Sequence, residues 1–494
     1  MLKRAVANLL FLALLLLIAS RASAQAVCPL QGSSSDRLVC LIPQVYGPFG
    51  LGSGPPGTGV PLRVNGHQAH FEASFLNNFT PINTALGSQL TLLPLASPSS
   101  GILFVYNPAL KTFSPSTEES LGPILGERAE TIGRHKFFLG FSYQYFNFNS
   151  IDGVDLSTLP SAFTHQDTPA FNNPSKICSI NGPASANTGT DCSFVRDLIT
   201  TSNSIDLRVH QYTVYITYGV GNRFDLSAAI PFVNVRMSVR SSARIQANAI
   251  APRIPNVFPN GIFHEFDPTV VTTCAAGVSP CLQGTFSDSN SAKGIGDVLL
   301  RGKGTIYKGE RTGVALGLDV RLPSGDALNF LGSGAIGIKP FAVFSYSSRV
   351  APHGELGFEF NGSSPLAGDL VAGTSAHLPN RLVYTAGADV SMTKWLTGAF
   401  DILGQRLISA PRVGLTTTKD LGQCNDQACT APAPAQSYPD LLRGTSDYNI
   451  TNASLGFKIR PFGKMVVTGN VLIKLDDGGL RARAVPLVGV SYSF

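Results

Sequence analysis

Residues 484–494 read AVPLVGVSYSF, and the alternation within them decides the fold. Side chains of an extended strand point alternately to its two faces. Val488, Val490, Tyr492 and Phe494 therefore share one face, and Leu487, Gly489, Ser491 and Ser493 share the other. The first face is β-branched and aromatic, while the second is mostly small and polar. In a soluble sandwich the apolar face would pack on a second sheet. In a membrane barrel it meets lipid, and the small polar face lines the lumen. A chain that stops on an aromatic residue in mid-strand suits a membrane–water boundary, where aromatic girdles form, better than a core.

The bulk composition agrees with the barrel. Charged residues make up 14% of the 494 positions, against about 25% in ordinary soluble domains. There are 50 glycines and the mean hydropathy is mildly positive. The formal charge of +6 includes Lys3, Arg4 and Arg21 of the first 24 residues, which hold no acid. The remainder is too weakly basic for a nucleic-acid partner. Residues 1–24 read as a signal peptide: a charged head at Lys3 and Arg4, an apolar run over Leu9 to Ala19, and Ala22-Ser23-Ala24 as the cleavage site. No later apolar run approaches the ~18 residues of a spanning helix.

The eight cysteines fall into close pairs, Cys28 with Cys40, Cys178 with Cys192, Cys274 with Cys281 and Cys424 with Cys429. Short even spacings in an exported chain suggest local disulfides that staple loops. No pair has a second pair or a histidine set at ligand spacing, so no metal site is expected.

From His135 onward, runs of alternation recur. Phe137, Leu139, Phe141, Tyr143 and Tyr145 form one face of a strand, as do Tyr212, Val214, Ile216 and Tyr218 of the next. Gly221-Asn222 marks a tight hairpin, and Pro231 a bulge or change of phase. Further strands read over 296–307, 313–322, 336–346, 355–361, 382–392, 395–405, 452–459 and 466–475. Short connections are expected at 221–222, 308–312, 349–354, 393–394 and 461–464. Long ones are expected at 148–203, 247–290, 323–334, 362–379 and 407–445. Outer-membrane barrels separate short periplasmic turns from long external loops in this way. Within 41–130, residues 41–66 are Gly/Pro-rich and read as an extended linker, and 71–130 show only short apolar runs, such as Gln89–Leu95 and Gly101–Tyr106. The pattern leaves open whether they add strands, enter the lumen or sit in the periplasm.

No catalytic constellation is present in the sequence. Two matches to the dinucleotide fingerprint fail, Gly52-x-Gly54-x-x-Gly57 because it encloses Pro55-Pro56, and Gly332-x-Gly334-x-x-Gly337 because it leads into a strand. The histidines, among them His135, His210, His264 and His353, are scattered. What recurs is charge on the small-residue face of strands: Arg301, Lys303, Asp319, Arg321, Glu355, Glu359, Asp401, Lys458 and Lys474 all have lumen phase. Facing lipid at mid-bilayer, an Arg or Lys would cost about 2–4 kcal/mol. Such residues either line a solute path or pair across a filled interior.

Three segments carry a family resemblance: GIGDV at 294–298, GLDVRLPSGD at 317–326, and ELGFEFNG at 355–362. They resemble a family of bacterial outer-membrane, transporter-like barrels associated with aromatic-compound (phenol) degradation, over roughly residues 135–494. Val488, Val490, Tyr492 and Phe494 in turn resemble the C-terminal signature through which such barrels are recognised by the barrel-assembly machinery. The resemblance implies a transporter and carries over no catalytic residue. The expectation is an all-β protein, a transmembrane antiparallel β-barrel of about 12 strands over 131–494. It would follow a signal peptide (1–24) and a non-barrel segment (25–130). It would reside in the bacterial outer membrane, be no enzyme, bind no cofactor, and pass small organic solutes. A role in interaction through disulfide-stapled external loops is the alternative.

Overall fold

The computed structural model describes residues 37–45, 62–64, 104–107, 112–115, 120–165, 168–170, 173–179, 192–249, 264–266, 281–368, 370, 373–424 and 431–494. The signal peptide, Gln89–Leu95, Cys28, Cys274 and Cys429 lie outside the described residues.

Twelve antiparallel strands form one closed sheet. They are β1 (Phe137–Ile151), β2 (Leu198–Gly219), β3 (Phe224–Gln246) and β4 (Gln283–Ile295 continued by Val298–Lys308). Next come β5 (Thr312–Leu322), β6 (Gly337–Tyr346), β7 (Val350–Asn361) and β8 (Arg381–Thr393). The last four are β9 (Leu396–Lys419), β10 (Ser437–Ile459), β11 (Met465–Lys474) and β12 (Ala484–Ser493). Each pairs with its chain neighbours, and β12 returns to β1 in register from Leu487 opposite Gln144 to Ser493 opposite Phe138. The Phe494 N–H donates to the Phe137 carbonyl at 2.8 Å, and the two rings lie 5.7 Å apart. The stretch that announces the fold thus closes it, leaving no sheet edge at this seam.

The outer surface follows from the alternation. Val488, Val490, Tyr492 and Phe494 are exposed, as are Leu139, Phe141, Tyr212, Phe224, Leu226, Leu316, Phe400 and Leu455 on other strands. In β5, Leu318 is 46% exposed while its neighbour Asp319 is 3% exposed. A continuous exposed apolar band around a barrel is stable only against hydrocarbon.

Several strands run well beyond this band, and here the structure corrects the sequence reading. The expected loop 148–203 contains the end of β1, a short strand Leu159–Thr164 paired with β2, and the start of β2 itself at Leu198. The loop 247–290 loses its last residues to β4, and 407–445 is mostly the outer halves of β9 and β10. The turn expected at 349–354 shrinks, because β7 begins at Val350. The cause is an inversion of polarity along single strands. On β3, Phe224, Leu226 and Phe232 point outward with Asp225 and Ser227 inward. Past Asn234 the outward residues are Arg236, Arg240 and Arg244, and the inward ones Val235, Met237 and Val239. Outward means lipid in the first half and water in the second, so the apolar face switches sides while the backbone continues unbroken.

Pro231 is also corrected. β3 passes through it in register with β2, Pro231 opposite Thr213. The irregularity lies in the facing strand: Ala229 pairs with Leu299 but Phe232 with Ile295, one extra residue in β4. The Gly296 N–H donates to the Pro231 carbonyl at 2.7 Å across this bulge. A bulge reverses the side-chain phase, so Ile295 faces out, and Arg301 and Lys303 face in.

Two described pieces of the N-terminal segment lie inside the barrel. A helical turn, Leu38–Cys40 continued by Leu41–Gln44, packs against the inner face of β3, the first half of β4 and the turn Ala327–Asn329. Residues 120–132 cross the opposite, periplasmic end. Leu62–Val64 pair with His264–Phe266 of the external connection, and Phe104–Asn107 form a hairpin with Thr112–Pro115 apart from the barrel sheet.

Candidate functional site

The lumen is the only large interior a barrel provides, and here its lower half is crossed by residues 120–132. Gly122, Pro123 and Gly126 keep this stretch out of regular structure, so its backbone must find partners on the wall. The Leu121 N–H donates to Thr397 Oγ1 at 2.9 Å, and the Ile132 N–H to Asp225 at 2.9 Å. Lys458 Nζ donates to the Pro123 carbonyl at 2.6 Å. Lys303 Nζ donates to Glu127 Oε1 at 2.8 Å, to the Arg128 carbonyl at 2.7 Å and to the Glu130 carbonyl at 2.9 Å. Those three bonds use the full donor capacity of an ammonium. Thr305 Oγ1 donates to the Ala129 carbonyl at 2.5 Å, and Ser345 and Ser347 donate to Glu130. At Gly126 the segment lies so close to the wall that a Cβ there would sit 2.4 Å from His353 Nε2.

Ion pairs tie this segment to the wall and the wall to itself. Arg301 reaches Glu127 at 2.5 Å and grips Asp319 with two parallel bonds of 2.6 and 2.8 Å. Lys339 continues the tier, 3.2 Å from Asp319 and 2.8 Å from Glu355. Register explains the order, since Arg301, Asp319 and Lys339 stand opposite one another on β4, β5 and β6. A second tier lies above it: Arg321 meets Asp297 at 3.2 Å and Glu359 at 3.1 Å, and Glu359 holds Arg381 at 2.8 Å. Asp297, Arg321 and Glu359 come one from each of the three resemblance segments, which this tier brings together. Arg128 pairs with Asp389 at 2.5 Å, and His353 Nε2 lies 2.7 Å from Asp401.

All the charged candidates named from sequence except Lys474 are therefore buried in this interior. Lys474 sits at the outer end of β11, 2.5 Å from Asp477 in the following turn. The sequence reading missed Glu127, Arg128, Asp297, Lys339, Arg381 and Asp389. Lys339 and Asp389 share the inward phase of their strands and could have been found by it. Asp297 lies in the bulge, where phase fails, and Glu127 and Arg128 lie in a segment without periodicity.

Above the charged tiers the lumen changes character. Phe146, Phe148, Leu207, Val209, Val235, Met237 and Val239 face inward and are buried. This corrects the expectation of a small polar lumen face throughout. Leu38, Val39, Leu41 and Ile42 cover the apolar wall, and the Leu38 N–H donates to Asn329 Oδ1 at 3.1 Å. Phe330, held at φ 56° after the turn Ala327–Asn329, and Leu331 fold in from the β5–β6 connection.

Outside, Cys178 and Cys192 form a disulfide with Cα atoms 5.4 Å apart. Cys40, Cys281 and Cys424 are disulfide-bonded as well.

Fold and interior together define a class: an outer-membrane β-barrel, here with the described residues 37–45 and 120–132 packed inside it. Residues 200–409 match the family model described as "Putative MetA-pathway of phenol degradation". The three resemblance segments fall within that span. Among solved structures, the chain is similar to an outer-membrane channel from Pseudomonas putida F1. Identity is 9% and the TM-score 0.41, covering 74% of this chain and 98% of that one. It is also similar to the toluene transporter TbuX of Ralstonia pickettii, with 12% identity, a TM-score of 0.23 and coverage of 74% and 90%. A third is a FadL homologue from Pseudomonas aeruginosa, with 7% identity, a TM-score of 0.26 and coverage of 73% and 89%. No curated protein matches the chain.

Proposed function

We propose that the protein is an outer-membrane channel for facilitated uptake of small organic solutes, hydrophobic and aromatic ones among them. The observation that supports this reading is the two-zone interior: apolar side chains of the wall and of Leu38–Ile42 packed together toward the outside, and below them a charged floor closed by residues 120–132. An apolar solute that displaces Leu38–Ile42 from this wall gains by leaving water. Passage onward requires the segment to move, and its hold on the wall is made of side-chain bonds that can exchange for water. The match to a family described by phenol degradation favours aromatic solutes. The reading assigns no catalytic residue. Val488, Val490, Tyr492 and Phe494 serve recognition by the assembly machinery.

The test is flux of phenol-sized solutes into proteoliposomes holding the mature chain, compared with a Glu127→Ala/Arg128→Ala variant. Low flux in the parent and a several-fold rise in the variant is the expected result. Equal, negligible flux in both would sink the channel reading. It would favour interaction through the external structure, where β2, β3, β9 and β10 stand clear of the band.

A further inference from the structure

The outer face of β2, β3 and β4 carries a cluster of cations with no role in the lumen. Register places the outward residues of adjacent strands in rows. The last apolar row is Tyr143, Tyr212, Phe232 and Ile295. The row above is Tyr145, His210, Asn234 and Lys293, and the next is Asn147, Arg208, Arg236 and Ser291. Arg240 and Arg244 follow further out on β3. Lys293, Arg208, Arg236, Arg240 and Arg244 are all exposed. Arg208 pairs with Asp206 at 2.7 Å. Among the described residues the other four form no ion pair, so the patch keeps a strong positive excess.

Its height is what gives it meaning. A tilted barrel strand climbs about 2.5 Å per residue along the barrel axis. Along β3, Arg236 then stands about 10 Å above Phe232 and Arg240 about 20 Å above it, with Arg208 beside Arg236 on β2. The lower cations lie at the level of the lipid headgroups and the upper ones just outside it. Tyr143 and Tyr145 flank the patch, with Tyr143 Oη 2.9 Å from His210 Nδ1. This is the aromatic girdle that marks the interface. Clustered Arg and Lys next to a membrane bind anionic headgroups, and Arg suits phosphate because its planar fork donates two parallel bonds.

We infer that Lys293, Arg208, Arg236 and Arg240 form a docking site for a phosphate-bearing glycolipid of the outer leaflet. Its phosphates would sit on the arginines and its acyl chains against Phe232, Tyr212 and Ile295. The site is independent of the transport reading, since none of these side chains faces the lumen.

The experiment is native mass spectrometry of the full mature chain in detergent, titrated with bisphosphorylated lipid A. The comparisons are dephosphorylated lipid A and competition by millimolar inorganic phosphate. The expected result is saturable binding of the phosphorylated lipid at least tenfold tighter than of the dephosphorylated one. Inorganic phosphate should leave it largely intact. An Arg208→Gln/Arg236→Gln/Arg240→Gln/Lys293→Gln variant, shown to be folded by its heat-dependent gel shift, should lose at least tenfold in affinity. Unchanged binding in that variant, or equal binding of both lipids, would overturn the site. Complete displacement by inorganic phosphate would overturn its assignment to a lipid. Should the fourfold variant fail to fold, Arg236→Gln and Arg240→Gln singly must each weaken binding, or the proposal fails.

Discussion

Asp319 shows how tightly single residues are committed in this interior. It accepts two bonds from Arg301, both residues buried, and lies against the partly buried Lys339. Removing one partner of a buried pair strands the other charge, at about 3–5 kcal/mol. Asp319→Ala is therefore expected to lower the temperature at which the folded band converts on gels. An Arg301→Met/Asp319→Leu double variant should recover most of the loss, because Glu127 keeps Lys303. A double variant as unstable as the single would mean that Glu127, not Asp319, is the critical partner. Gly126 gives the complementary case, where what matters is contact distance. A side chain there must displace His353 or lift the segment. Gly126→Leu is expected to raise single-channel conductance in planar bilayers with little loss of barrel stability, and unchanged conductance would show that the floor yields without opening.

At the scale of elements, the strands were legible in sequence only where their surroundings obey one rule. Within the band, alternation alone placed Val314 to Leu322 and Val488 to Phe494 with the correct face outward. Above it the rule inverts: Arg236-Met237-Ser238-Val239-Arg240 turns its charges outward and its apolar residues inward, and β3 runs on to Gln246, where the expected loop 247–290 begins. The bulge expected at Pro231 falls instead on the facing strand, at Gly296-Asp297, because register is shared between two strands and one sequence does not say which of them takes the extra residue. The lumen-filling segment left no periodic trace, because its order comes entirely from partners such as Lys303 and Lys458. The projection of β3 can be checked by labelling. No free cysteine competes among the described residues. Ser238→Cys and Ser242→Cys are expected to react on intact cells with a membrane-impermeant maleimide, and Phe232→Cys to stay unlabelled. Protection of Ser242→Cys would place that half of β3 inside the membrane and contradict the inversion.

For the whole molecule, closure rests on the seam between the first strand and the last. The Phe494 ring packs tilted against Phe137 and edge-on to Tyr492, the latter pair 4.8 Å apart, ring to ring. If the four aromatic and branched residues of β12 serve recognition as well as closure, Phe494→Ser should cut the folded outer-membrane fraction several-fold. The stability of whatever does fold should change far less. A normal yield would leave Phe494 a girdle residue and nothing more.

Residues 120–132 precede β1 in the chain, yet they end enclosed by a wall whose final join is β12. The enclosed stretch has no side door once that join is made. It spans the interior of the closed ring, with Glu127 lying between Arg301 and Lys303. The N-terminal segment is then a brace as well as a floor: Glu127 ties down two cations of β4 and Arg128 one acid of β8, so a barrel without it would leave Lys303 and Asp389 short of a counter-charge.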